Sequence, residues 1–110
     1  MAPSETATGS TTLSDTSETQ LSTDITTAGT YQLLLDLTNL ADGDDVTVRV
    51  KMKVRSADTA YVVFEREFVH AVGAEIIAVT PPFPVVNHIG FFLQRTTGSN
   101  AYAWAIIEYT

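Results

Sequence analysis

The 110-residue chain contains no cysteine. Disulfides, thiolate nucleophiles and cysteine-bound metals are therefore excluded. Basic residues are scarce: six Lys and Arg stand against thirteen Asp and Glu, for a formal charge of -7. Neutralising phosphates requires a net basic surface, so no nucleic-acid partner is expected. No apolar run reaches the roughly 18 residues of a membrane helix, so no membrane partner is expected. The first residues, Met1 to Glu5, lack the basic start and apolar stretch of a secretory signal. The chain thus reads as one made in a cytosol. A G-x-S-x-G turn, a P-loop and a dinucleotide glycine fingerprint are also missing. The serines crowd the N-terminal region, far along the chain from His70 and His88.

What is present is β-strand periodicity. Residues 46–55 read V-T-V-R-V-K-M-K-V-R. Val46, Val48, Val50, Met52 and Val54 fall on one face; Arg49, Lys51, Lys53 and Arg55 fall on the other. Only a half-buried strand sorts side chains this way. Further strands are predicted over residues 31–37, 60–70, 75–80, 89–95 and 102–109, with an earlier one near 20–25. Gly43 supplies a positive φ in the 39–45 turn. Pro81, Pro82 and Pro84 cannot donate ladder hydrogen bonds and mark a crossover or an edge. With 45% hydrophobic residues, this spacing predicts one all-β domain: a jelly-roll-like β-sandwich of seven to eight antiparallel strands. Domains this small bury only about 60% of their unfolded surface, so support from neighbouring chains is expected.

Residues 1–28 carry Glu5, Asp15, Glu18 and Asp24 but no Lys or Arg, and residues 1–30 hold fifteen Ser or Thr. After Met1 the only large apolar residues there are Leu13, Leu21 and Ile25. So little apolar area does not offset the entropy of ordering a chain. The expectation is an extended N-terminal arm over 1–28, ordered by a partner that Leu13, Leu21 and Ile25 would contact, followed by a β-sandwich over 29–110.

Charge pairing suggests a register for the 46–55 and 60–70 hairpin. Lys51 would face Glu65 and Arg49 would face Glu67 outside; Met52–Phe64, Val54–Val62 and Val48–Phe68 would pair inside. Each ionic pair contributes roughly 0.2–1 kcal/mol. Arg66 then falls on the inward parity. The basic row of Arg49, Lys51 and Lys53 reads mainly as a solvated face paired with Glu65 and Glu67, and secondarily as a partner-binding stripe.

Other constellations read more simply as structure. His70 and His88 are too few for a zinc site, which usually takes three or four protein ligands. Asp42-Gly43-Asp44-Asp45 resembles a calcium loop in composition, but a tight turn asks for the same residues. Glu65 and Glu67 share a face without an evident cleft for acid–base work. Tyr61, Tyr102, Trp104 and Tyr109 could form a sugar platform, though a lone tryptophan in a small sandwich is more often core. No catalytic residue, cofactor or metal is expected.

Several stretches nonetheless resemble a known group. Thr30-Tyr31, L-L-L-D-L-T-N-L-A-D-G over 33–43, and V-R-V-K-M-K-V-R-S-A-D-T over 48–59 are similar to a family of small structural proteins of tailed bacteriophages. His70-Ala71, Ala74-Glu75-Ile76, Pro81-Pro82, L-Q-R-T-T-G over 93–98 and Trp104 continue the resemblance, which spans about 29–110. It implies a virion component without enzymatic activity. Cement proteins of this kind sit on the capsid exterior, bind the major capsid protein, associate as trimers or dimers, and clamp neighbouring subunits with an arm. A tail or baseplate accessory protein, or a carbohydrate- or host-surface-binding module, remains the alternative.

Overall fold

The computed structural model describes residues 3–40, 43–55, 57–69 and 77–109. They form β1 (Pro3–Leu13), β2 (Thr19–Gln20), β3 (Gly29–Asp36), β4 (Asp45–Met52), β5 (Tyr61–Val69), β6 (Ile77–Val79), β7 (Phe83–Val85), β8 (Ile89–Gln94) and β9 (Asn100–Tyr109). All pairings are antiparallel. One sheet has the order β1-β9-β3-β6, with β7 also on β3; the other has the order β2-β8-β4-β5.

Alternation builds the core between the sheets. From β3, Tyr31, Leu33 and Leu35 point inward; from β4, Val46, Val48 and Val50; from β8, Ile89, Phe91 and Leu93; from β9, Tyr102 and Ile106. Each is nearly sealed from water and stabilises the fold by roughly 1.5–3 kcal/mol of transfer free energy before entropy is counted.

β6 and β7 form one edge strand interrupted by Pro81-Pro82. Leu34–Asp36 pair with β6 and Gly29–Tyr31 with β7. At the interruption, the Thr80 hydroxyl accepts from the Leu33 amide at 3.0 Å and the Thr80 amide donates to the Leu33 carbonyl at 3.1 Å. The missing proline donors are thus placed at a sheet edge, where the ladder tolerates them.

The N-terminal region departs from the arm expectation. β1 pairs with β9 from Pro3↔Tyr109 to Leu13↔Asn100, with one irregularity at Thr6. Leu21 donates to the Phe91 carbonyl, and Ile25 exchanges two hydrogen bonds with Ile89. Leu13 and Leu21 lie in the core at 2% and 6% exposure, and Ile25 packs against it half-buried. The boundary expected at residue 28 is therefore not a boundary of the fold. An edge strand is held chiefly by its main-chain ladder and needs few buried side chains, and β-branched threonine suits that conformation.

Candidate functional site

The predicted basic row lies on the outer face of the β2-β8-β4-β5 sheet, in a different register. Glu65 faces Arg49, Glu67 faces Thr47, and Val48 faces Arg66. After Val50↔Phe64 the ladder shifts, so Lys51 faces Val62 and Val63 is the extra residue of a bulge. β4 ends at Met52; Val54, expected inside, is 87% exposed. A turn closed by Asp58 N–H to the Arg55 carbonyl, and by the Asp58 carboxylate on the Arg55 amide and guanidinium, takes over there.

Glu18, just before β2, neutralises much of this row. It accepts from Arg49 at 3.0 Å and Lys51 at 2.5 Å, while Arg49 Nε reaches Glu65 at 2.5 Å. Arg49 also donates to Gln94, and Lys51 sits 4.4 Å from the Phe92 ring centroid. Burial pushes the Glu18 pKa up, but its bonds to Lys51 and Arg49 outweigh this and hold it low. Glu65 in turn raises the Arg49 pKa against the opposing effect of burial. Two of the three basic candidates are thus engaged within the chain. Lys53 lies past the strand end and forms no ion pair with a described residue.

The turn acids act as a latch. Asp45 is 5% exposed. Its carboxylate accepts from the Thr96 hydroxyl at 2.7 Å and the Thr97 and Thr96 amides at 2.8 and 3.2 Å. Burial alone would raise its pKa; these donors, with the Arg95 charge, bring it below the usual range. Asp44 accepts from Asn100 at 2.8 Å and lies beneath Gly98. At Gly98, φ is 97° and a Cβ would stand 2.3 Å from the Asp44 carboxyl carbon, so only glycine fits. Among the described residues no three His, Asp or Glu converge as metal ligands; Asp42 and His70 lie outside them. His88 is buried, with Nδ1 3.4 Å from Asp24.

The aromatic candidates do not converge. Tyr102 is in the core and the Tyr109 hydroxyl donates to Gln32. Trp104 leans across β1: a Cβ on Gly9 would meet its ring at 2.8 Å, and Nε1 donates to Thr11 at 2.9 Å. Tyr61 alone is widely exposed, at 70%. Glu65 and Glu67 line a polar depression of about 350 Å³ with Arg49, Gln94 and Arg95. The neighbouring carboxylates with displaced pKa values, Glu18 and Asp45, are both held low, opposite to a general acid's need.

The distinctive surface is apolar. Among the described residues, all eight exposed large apolar side chains lie between positions 54 and 86. Tyr61, Val62, Val63 and Val69 belong to β5, Ile77 and Val79 to β6, and Val54 and Val86 flank them. β5 and β7 meet across the layers at Phe64 and Phe83, whose ring centroids are 6.1 Å apart. These residues therefore mark one lateral side of the sandwich. Around its corner, Leu34, Ile77, Ala103 and Ala105 line a shallow depression of about 250 Å³ on the outer face of the other sheet. Clustered exposed apolar residues mark interaction surfaces more than scattered ones do. The alternation rule had missed this side, although Y-V-V-F over 61–64 is apolar on both faces of its strand.

No family model matches the chain, and neither a curated protein nor a solved structure does.

Proposed function

We propose that this chain is a structural, non-enzymatic virion protein of a tailed bacteriophage: a capsid decoration or cement protein that adheres to the outer capsid surface through the β5–β7 side. The observation carrying this reading is the confinement of the exposed large apolar residues to that side. The resemblance over 29–110 supplies the phage context. The net charge of -7 favours a position outside packaged DNA, which would repel it. Copies cluster as trimers or dimers about a symmetry axis. With β1 seated on β9, the clamping role passes from the N-terminal residues to this apolar side.

A jelly-roll topology belongs to the same reading. Counting β6 and β7 as one interrupted strand gives two sheets of four. Apart from the β4–β5 hairpin, consecutive strands alternate between them, as interlocked Greek keys do, and capsid proteins commonly use this architecture. The sugar-binding alternative loses support from the inward placement of Tyr102 and the packing of Trp104 on β1.

The test is a double variant, Tyr61→Asp with Ile77→Asp, sedimented with capsids of the parent phage. Both side chains are exposed, so stability should stay within about 0.5 kcal/mol. Capsid binding should fall at least about tenfold, since each charge removes apolar contact and buries without a partner. Unchanged binding would refute adhesion through this side.

A further inference from the structure

β5 is the outer strand of its sheet. β4 covers one side, and no described strand pairs with the other. Proteins commonly blunt such edges with short strands or prolines. β2, at the far edge of the same sheet, has two residues, and the β6–β7 edge is broken by Pro81-Pro82. β5 is neither short nor interrupted by proline; its edge is guarded by the bulge at Val63 and the charges of Glu65, Arg66 and Glu67. Past the bulge at Val63 it pairs regularly with β4 from Phe64 to Val69, so alternate main-chain groups on its outer side are in position to receive a strand.

Its sequence indicates which strand it disfavours. Residues 63–69 read V-F-E-R-E-F-V, a palindrome about Arg66. A second copy, paired antiparallel in the register that matches every apolar residue, would set Val63 against Val69 and Phe64 against Phe68. That register also sets Glu65 against Glu67 and Arg66 against Arg66. Like charges directly opposite each other destabilise a strand pair, and two chains of charge -7 repel at longer range. The best apolar register for self-pairing is thus the worst electrostatic one.

We propose that β5 accepts an extended segment of a different protein, added antiparallel. This segment carries Lys or Arg opposite Glu65 and Glu67, a non-basic residue opposite Arg66, and apolar residues opposite Phe64 and Phe68. The proposal rests on adhesion through the β5–β7 side and specifies the chemistry of the partner there. Glu67 forms no ion pair with a described residue, and the Glu65 side chain remains 54% exposed beside Arg49. Residues two apart on a strand share a face, so two basic residues at alternate positions reach both carboxylates together. The negative charge of the chain also steers a basic segment toward it.

Two capped heptapeptides test this by NMR titration of the full chain: V-F-K-E-K-F-V and the chain's own V-F-E-R-E-F-V. The basic peptide should perturb the β5 amides and bind at least about tenfold more tightly than the other. That preference should shrink with added salt and largely vanish in Glu67→Lys, a change at an exposed position. Equal or tighter binding of the chain's own sequence, a β5-mediated dimer of the free chain in sedimentation, or no response at β5 to either peptide would overturn it. If both peptides fail while Tyr61→Asp with Ile77→Asp still abolishes capsid binding, adhesion through this side stands and strand addition falls. If the variant binds capsids normally, the adhesion reading itself falls.

Discussion

β1 and β5 are long outer strands, one in each sheet, with opposite compositions. β1 is largely Ser and Thr, and its side chains are mostly exposed. Ala7 and Leu13 pack into the core, Thr11 accepts from the Trp104 indole, and the β9 ladder does the rest. β5 is rich in Val, Phe and Tyr, yet its large apolar side chains are half-buried at best. Apolar content is therefore a poor guide to what fastens an edge strand. A polar strand can be integral through its backbone and two or three anchors, and an apolar one can carry more hydrophobic surface than its own sheet covers.

The most severe way to break this comparison is to delete residues 1–28. If β1 and β2 are integral, the remainder loses Leu13 and Leu21, worth about 2–5 kcal/mol each as large-to-small losses. Their sum rivals the whole stability of a small domain, so cooperative urea unfolding followed by circular dichroism should disappear. Unfolding of 29–110 at the full-length midpoint would restore the picture of a dispensable arm. A gentler contrast sets one residue from each strand side by side. Leu13→Ala should cost about 2–5 kcal/mol, whereas Val63→Thr on the apolar strand should stay within about 0.5 kcal/mol.

Polar fastening can be sharpened at Asp45. Replacing it with Asn weakens three charge-assisted hydrogen bonds and should cost about 1.5–3 kcal/mol. Because the folded state lowers this carboxyl's pKa, its contribution is complete above the unfolded value of about 3.9 and declines as pH falls below that, through the folded value. The difference between wild type and Asp45→Asn should therefore narrow in acid; a constant gap from pH 7 to pH 2 would contradict the latch. The smallest effect is expected for Glu18→Gln: under about 1 kcal/mol, and reduced by salt, because its ion pairs are only partly buried.

Much of the fold was legible in the residues. The alternation of 46–52, a strand starting near Tyr31 and the proline-marked edge all appear as expected. The turn at Gly98 joins strands of different sheets, because β8 pairs with β4 and β9 with β3 and β1. The integral β1 was not legible, because composition weighs side-chain burial and cannot register a ladder of main-chain hydrogen bonds. The β4–β5 register slipped by two residues. A two-residue shift keeps Val46, Val48 and Val50 inward, so their packing does not choose between the registers. Ionic pairs worth a few tenths of a kcal/mol do not either: Arg49 pairs with Glu65 in place of Glu67. The turn held by Arg55 and Asp58 ends the alternation that Val54 was expected to continue, and on the facing strand Val63 adds a bulge. Its trace was visible as the consecutive apolar residues 61–64, a pattern no regular half-buried strand needs. Glu18 could not be foreseen as the partner of Arg49 and Lys51 once its segment had been assigned outside the sandwich.

The chain's single tryptophan rests its ring over Gly9 and hydrogen-bonds Thr11. The molecule therefore carries its own optical reporter of the first strand. Any event that peels this strand from β9 would wet the indole, shifting its fluorescence to the red and opening it to collisional quenchers. No label is needed to follow that step.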